Sequence, residues 1–188
     1  MGFAPRNESR ILVTRDFTIH KTNTQTAPAT LFSHKHIVKS SVILAIDEGK
    51  LTYSVVDVEP YEKETVAQDT EYGFDDLEPV VFLAESYGKP AGRIRMLRWW
   101  NQFAYVDDIV VSPEFRSVGL GRTLLECGIR WARENNFPGV MLETQHDNVP
   151  ACTLYQSCGF VLYGFDSGVY KAIKLPTPET ALYWYLIF

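Results

Sequence analysis

The segment 103–134 constrains the fold of this chain most, because its hydrophobic period changes there from that of a strand to that of a helix. Residues 103–111 form a largely apolar run that predicts a buried strand, ending at Ser112-Pro113. From residue 121 to residue 134 the apolar side chains recur at helical spacing and mark one helix face. A strand, a loop with a pair of glycines and an amphipathic helix therefore follow one another directly.

Further elements are predicted on both sides of this segment. Two hairpins precede it, and a short apolar strand, a short helix and closing strands follow it. The predicted strands lie at 41–46, 51–58, 80–85, 92–97, 139–144, 160–163 and 181–188, and the short helix at 148–158. Antiparallel hairpins followed by strand–helix–strand–helix–strand predict a mixed α/β fold, with a central, largely antiparallel sheet flanked by helices.

The length of 188 residues predicts one domain, because a domain commonly takes about 100–200 residues. We place this domain at residues 38–188. Residues 1–37 show no sustained periodicity and are treated as an N-terminal extension of unknown order, with one short strand near 11–14.

Acidic residues are concentrated between positions 57 and 78, where nine acids stand against one base, in a chain of net charge −5. Pro60, Gly73 and Pro79 predict that this stretch is a loop. Such a block argues against nucleic acid as the main partner and suits a small cationic molecule. A solvated acidic loop without a partner is the alternative.

Cysteine content and hydropathy predict a cytoplasmic protein. The three cysteines form no CxxC pair and have no histidine at metal-ligand spacing, which argues against a disulfide framework and a zinc site. The longest apolar stretches reach about half of the ~20 residues that a membrane span needs. No signal-peptide pattern opens the chain. We therefore expect no membrane association.

The loop at 112–122 carries the strongest functional signal. Gly119 and Gly121 stand where the helix begins, so backbone N–H groups and the positive end of the helix dipole are open to an anion. Arg116 and Arg122 add positive charge, which suits a pyrophosphate. A P-loop is disfavoured because Gly-Lys-Ser/Thr is missing, and a dinucleotide fold because the third glycine is missing. An ordinary glycine turn before a helix is the structural alternative.

At these residues the sequence resembles the GNAT superfamily of N-acetyltransferases, whose acetyl-CoA motif is matched by Arg116-x-x-Gly119-x-Gly121. More narrowly, roughly residues 40–188 are similar to the streptothricin acetyltransferases. The residues that carry this similarity are Leu142-Glu143-Thr144-Gln145, Asn148, Ala151-Cys152, Tyr155, Cys158-Gly159-Phe160 and Tyr183-Trp184-Tyr185.

The resemblance implies a GNAT-like fold with acetyl-CoA bound on the strand–loop–helix segment. The backbone of Ile109, Val110 and Val111 would contact the pantetheine arm, with Asn148 and Tyr155 beside it. The residues expected around the pyrophosphate are Arg116, Ser117, Val118, Gly119, Leu120, Gly121 and Arg122.

Amide formation from a thioester requires a base and a proton donor. An amine with a pKa near ~10 must lose a proton before it attacks, and the leaving thiolate gains from a donor. The oxyanion that forms can be stabilised by the N–H of Val111. Tyr155 is the donor candidate, although its helical spacing from Ala151 also fits a core tyrosine.

Two carboxylates are candidates for the base. By strand alternation Asp107 shares the face of Val111, which makes it the first candidate, and Glu143 on the neighbouring strand is the second. A structural ion pair is the alternative for either residue, and a relayed water can replace a direct base.

The sequence thus predicts an enzyme that moves acetyl from acetyl-CoA to a primary amine without a metal. The resemblance points to streptothricin as acceptor, hence to antibiotic resistance, with Asp75, Asp76 and Glu78 on the acceptor side. Acetylation of a protein lysine, an N-terminus or a polyamine is an alternative, as is a non-catalytic acyl-CoA-sensing module. The apolar C-terminal strand can also pair across a homodimer.

Overall fold

The computed structural model describes residues 12–13, 16–23, 26–27, 32–65, 78–171 and 178–188. The strands are β1 Leu12–Val13, β2 Thr18–Thr22, β3 His34–Asp47, β4 Lys50–Thr65, β5 Val80–Ser86, β6 Lys89–Arg98, β7 Ala104–Val111, β8 Gly139–Gln145, β9 Val161–Asp166 and β10 Ala181–Ile187. The helices are α1 Leu120–Glu134 and α2 Val149–Ser157. The predicted elements of the second half of the chain are confirmed to within a few residues.

Eight of these strands form the main sheet, in the order β1-β2-β5-β6-β7-β8-β10-β9. Neighbouring strands run antiparallel except β7 and β8, which are parallel because α1 connects them by a crossover. The prediction of a mixed α/β fold with a largely antiparallel sheet is confirmed.

Helix α1 packs its apolar face on the centre of this sheet. Leu120, Leu124 and Leu125 are almost fully buried and join the main core cluster with Ile94 of β6. The contact is close, since a Cβ at Gly128 would come within 2.7 Å of the Met96 sulfur. Burying this face stabilises the segment that leads from β7 into the helix.

The strands β3 and β4 form a separate two-stranded sheet, which we call the arm. Its turn is the predicted one, with Glu48 and Gly49 in left-handed conformations. The arm is longer than predicted: beyond the predicted strand 51–58, residues 59–65 continue β4 instead of forming a loop, so the loop prediction is wrong there. Pro60 is accommodated because the pairing skips from Tyr61 to Asp57, which leaves the proline in a bulge where its missing N–H interrupts no ladder bond.

The strand Thr18–Thr22 lies within the segment that the sequence analysis treats as an N-terminal extension. It pairs with β5 in the main sheet, and Ile19 is buried in the main core cluster. A single short polar strand gives no periodic signal, because only one of its side chains reaches the core.

Candidate active site

A cleft opens in the main sheet where β7 and β8 stop pairing. The two strands pair over residues 104–106 and 140–142, and their following residues are no longer partners. The cleft has a volume of about 740 Å³ and is lined by the end of β7, the loop into α1, the start of α2 and the first half of β3. A volume of several hundred cubic ångströms suits a small organic ligand.

The loop into α1 forms an anion site at one end of this cleft. After the 3-10 helix Pro113–Phe115, Ser117 and Gly119 both take left-handed conformations, with φ of 61° and 90°. Gly119 is also the N-cap of α1, so the first N–H groups of the helix have no intrahelical partner. Such a turn at the positive end of a helix makes an anion-binding concavity. The backbone can therefore bind an anion here, as the predicted pyrophosphate site requires.

Gly121 has a packing role that the sequence did not indicate. A Cβ at this position would lie 3.3 Å from a methyl carbon of Leu154 and 3.8 Å from one of Val111. The glycine thus lets α1 approach α2 and β7 closely, in addition to leaving the backbone accessible from the cleft.

The two arginines of the loop both border the cleft but make different contacts. Arg116 donates from Nε to the carbonyl oxygen of Val111 at 3.2 Å and contacts the ring of His34. Arg122 donates to the hydroxyl of Ser157 at 2.8 Å, so it ties α1 to the end of α2.

Asn148 lines the cleft and also begins α2. Its side-chain oxygen accepts a hydrogen bond from the N–H of Ala151 at 3.4 Å, which confirms the predicted cap. Its predicted place beside the pantetheine arm stays a prediction.

Tyr155 is a core residue that also borders the cleft. Its side chain is buried against Phe160 and Trp184, with ring centroids 6.1 and 6.3 Å apart. Burial, reinforced by the nearby carboxylates of Asp108 and Glu143, raises the pKa of Tyr155 well above that of a free tyrosine. The phenol therefore keeps its proton at neutral pH, as a proton donor must.

Asp107 does not lie where strand alternation predicts. The register of β6 and β7 passes from Arg95–Asp108 to Met96–Val106, so Asp107 is the extra residue of a bulge. Its carboxylate forms a buried ion pair with Arg95. The neighbouring Asp108 pairs with Arg93 at 2.8 Å.

The bulge also changes the face on which Asp107 lies. Val111 packs against the core cluster around α1, whereas Arg95 stands directly opposite Val81, which belongs to a second cluster with Val110. Directly paired residues of adjacent strands share a face. The prediction that Asp107 shares the face of Val111 is therefore wrong.

Glu143 lies on β8 directly opposite Tyr183 and accepts a hydrogen bond from the hydroxyl of Tyr170. Burial raises the pKa of Glu143 above the usual carboxyl value; the Tyr170 hydrogen bond opposes this shift, and the charge of Glu179 adds to it. A carboxylate with a raised pKa is a stronger base than a solvated one.

The predicted acceptor-binding acids are placed only in part. Asp75 and Asp76 lie outside the described residues, and Glu78 is exposed just before β5. The other half of the acidic segment is on β4, where the exposed acids are Asp57, Glu59, Glu62 and Glu64. The role of Asp75, Asp76 and Glu78 in acceptor binding stays a prediction.

A buried ionic cluster beside the cleft was missed by the sequence reasoning. The ammonium of Lys63 lies 2.8 Å from the Asp147 carboxylate and 2.7 Å from that of Glu179, and Tyr61 donates to Asp147 at 2.6 Å. Burial alone would raise the pKa of Asp147, but the hydrogen bonds from Lys63 and Tyr61 outweigh it and lower that pKa. The only available signal was that Lys63 is the one base in the acidic block.

The described residues contain neither a candidate metal cluster nor a candidate membrane-spanning helix. Within the parts of the chain that the structure describes, no group of at least three His, Cys, Asp or Glu side chains could hold a metal ion. In the same residues, no helix has the length and apolar character needed to span a membrane.

Comparison with known proteins finds relatives over most of the chain. Residues 45–160 match the sequence model of the Acetyltransferase (GNAT) family. The chain is 34% identical to the streptothricin acetyltransferase of Escherichia coli, over 83% of this chain and 88% of that protein. It is also 34% identical to streptothricin acetyltransferase A of Bacillus subtilis (strain 168), over 81% of this chain and 88% of that protein.

Two solved structures share the fold over nearly their whole length. One, from Bacillus anthracis str. Ames, is assigned as a streptothricin acetyltransferase and holds acetyl coenzyme A. It has a TM-score of 0.79 at 34% identity and covers 92% of this chain and 99% of its own. A nourseothricin acetyltransferase has a TM-score of 0.75 at 26% identity and covers 92% of this chain and 98% of its own.

Proposed function

The chain belongs to the acetyltransferase (GNAT) family, and from that membership we propose that it acetylates a primary amine of streptothricin with acetyl-CoA as donor. The observation that carries the choice of acceptor is the 34% identity to two streptothricin acetyltransferases across at least 81% of the chain. In a bacterial cell that meets the antibiotic, this activity would confer resistance.

The cleft residues fit the binding of acetyl-CoA, which supplies an activated acetyl group as a thioester. The first N–H groups of α1, with the side chains of Arg116 and Arg122, bind the pyrophosphate. The backbone of residues 109–111 holds the pantetheine arm, and the N–H of Val111 donates a hydrogen bond to the acetyl oxygen. Asn148 borders the same arm.

Tyr155 donates the proton that the leaving thiol needs. Its raised pKa keeps it protonated, and its side chain borders the cleft that would hold the coenzyme. Packing against Trp184 fixes the ring, so the hydroxyl requires no reorganisation during the reaction.

Glu143 is the better of the two candidate bases. Asp107 is held in a buried ion pair with Arg95, whereas the carboxylate of Glu143 accepts a hydrogen bond from the neutral hydroxyl of Tyr170. Its raised pKa brings it closer to that of the ammonium whose proton it takes.

A turnover assay tests the proposal. The purified protein is mixed with acetyl-CoA and, in separate reactions, streptothricin, spermidine and a lysine-rich peptide, and the released CoA thiol is measured. We expect the highest kcat/KM with streptothricin and a product with one added acetyl group by mass spectrometry. A higher kcat/KM with the polyamine or the peptide would show that streptothricin is not the preferred acceptor. No thiol release with any of the amines would reject the catalytic function.

A further inference from the structure

The first half of β3 forms a wall of the cleft opposite the loop into α1. His34 and His36 alternate onto the cleft side of the strand and both line the cleft with Arg116 and Ser117. Their imidazole centroids are 5.5 Å apart. The arm therefore brings a pair of titratable rings to the place where the phosphates of the coenzyme are expected.

His34 fixes the guanidinium of Arg116. The Nδ1 atom of His34 lies 2.9 Å from the carbonyl oxygen of Phe32, which can only accept, so Nδ1 carries the proton. The Nε2 atom is then the acceptor for the Arg116 Nη2–H contact. Because Arg116 also donates from Nε to Val111, its guanidinium is held from two sides.

His36 lies beside this pair without a complete set of partners. Its Nδ1 atom is buried and has no hydrogen-bond partner among the described residues. Burial lowers the pKa of His36, the cations of Lys63 and Arg116 and the ring of His34 lower it further, and the Asp147 carboxylate opposes them. The ring is thus neutral at neutral pH in the free protein, and the side chain lines the cleft.

We propose that His34, His36 and Arg116 form a phosphate subsite on the arm side of the cleft, which binds a phosphate group of the coenzyme. His34 is a positioning residue for Arg116, and His36 contacts the phosphate directly. The inference rests on the proposed use of acetyl-CoA. A phosphate beside His36 favours the imidazolium, so binding takes up a proton.

Isothermal titration calorimetry with CoA and with 3′-dephospho-CoA tests the subsite without turnover. We expect His34→Gln and His36→Gln each to weaken CoA roughly tenfold, the usual effect of a lost charge-assisted hydrogen bond. His20→Gln is the matched control, because His20 lies on β2 beside Glu85. A loss that persists with 3′-dephospho-CoA identifies the pyrophosphate as the ligand, and a loss that disappears identifies the 3′-phosphate.

The positioning role of His34 has its own readout. In an Arg116→Gln background the further change His34→Gln should leave CoA affinity within about twofold, because the guanidinium that His34 holds is gone. If His34→Gln lowers CoA affinity equally in wild type and in the Arg116→Gln variant, His34 does not act by positioning Arg116.

Proton uptake separates a phosphate contact from a merely structural role. Repeating the titrations in buffers of different ionisation heat, at about pH 7, gives the protons taken up per CoA bound. Wild type should take up more than His36→Gln, since the titration of CoA itself is common to both. Equal proton uptake, or unchanged affinity in both histidine variants, would overturn the subsite.

Failure of the subsite is distinguishable from failure of the proposed function. Wild-type protein that does not bind CoA at all would reject both, whereas CoA binding that the histidine variants do not change rejects only the subsite. Should a glutamine variant not fold, the asparagine variant takes its place.

Discussion

Three residues that line the cleft also make contacts that stabilise the fold: Tyr155, Asn148 and Gly121. Tyr155 is packed on Trp184, Asn148 caps α2, and Gly121 lets α1 approach Leu154. Substitution of such residues affects folding and chemistry together, so activity and stability have to be measured on the same variant.

Tyr155→Phe removes the proposed proton donor and keeps the ring. We expect kcat to fall by roughly 10²-fold while the melting temperature stays close to that of wild type, because the packing on Phe160 and Trp184 is retained. Steady-state kinetics and thermal denaturation measure the two effects. A wild-type rate would leave Tyr155 as a core residue only.

Glu143→Gln tests the base through the pH dependence. A base must be deprotonated, so the raised pKa of Glu143 predicts that wild-type kcat/KM falls as the pH drops through that value. The glutamine variant should lose roughly 10²-fold or more in kcat and lack this acid limb. Asp107→Asn is the comparison: it breaks the ion pair with Arg95, so we expect lost stability with the acid limb retained.

Gly121→Asp tests the coenzyme site. The carboxylate would stand at the N-terminus of α1 and repel the pyrophosphate, so we expect CoA affinity to fall roughly 100-fold or more by calorimetry. Gly121→Ala adds only the Cβ, 3.3 Å from Leu154, and should cost about 1 kcal/mol of stability with a smaller loss of affinity. Equal CoA affinity in wild type and a folded aspartate variant would rule out this location.

The arm is held to the rest of the molecule by the ionic cluster of Lys63, Asp147, Glu179 and Tyr61 and by further hydrogen bonds. The N–H of Val42 donates to the carbonyl of His146 at 2.8 Å, and Tyr53 donates to Gln156 at 2.7 Å. Asp147 directly precedes the N-cap of α2, so the cluster connects β4 to the start of the helix that carries Tyr155.

Lys63→Met removes the buried cation of this cluster. Asp147 and Glu179 would then be left as uncompensated buried carboxylates, so we expect a loss of about 3–5 kcal/mol in the free energy of unfolding by urea denaturation. Lys35→Met is the matched control on the same arm: its pair with Glu62 is exposed to solvent, and its loss should change the stability little. Similar losses in both variants would contradict a special role for the cluster.

The same cluster predicts how stability depends on pH. The pKa of Asp147 is lower in the folded protein than in the unfolded chain, so its contribution is complete above the unfolded value and is lost as the pH falls through the folded one. In acid, the free energy of unfolding should therefore depend less steeply on pH for Asp147→Asn than for wild type, as urea denaturation at a series of pH values measures.

The acidic stretch at residues 57–78 should attract a polycationic acceptor electrostatically. Asp75→Asn with Asp76→Asn removes two charges from that stretch, and we expect a higher KM for streptothricin and a flatter salt dependence of kcat/KM, with CoA affinity unchanged. Asp47→Asn with Glu48→Gln removes the same charge at the turn of the arm, the end of β3 opposite His34. If both double variants behave alike, only net charge matters, and the local role of Asp75 and Asp76 is refuted.

The order of elements in the second half of the chain, including the strand–loop–helix segment, could be predicted from the sequence. Helical periodicity, the cap at Asn148 and the glycines at 119 and 121 act through neighbours within one or two turns, so a local pattern is sufficient to predict them. The choice of Tyr155 depended on the resemblance, and Glu143 was proposed as a base from its position on the neighbouring strand. The contacts on which both roles depend lie across the fold.

The face on which a residue lies, and the side chains that it contacts, depend on packing between elements that are distant in the chain. One extra residue in β7 turned Asp107 away from the face of Val111 and toward Arg95, and strand alternation cannot foresee a bulge. The arm brought His34 to Arg116 and Lys63 to Asp147, which are 82 and 84 positions apart in the chain. Such long-range pairs arise from packing of whole elements, and no periodicity within either segment records them.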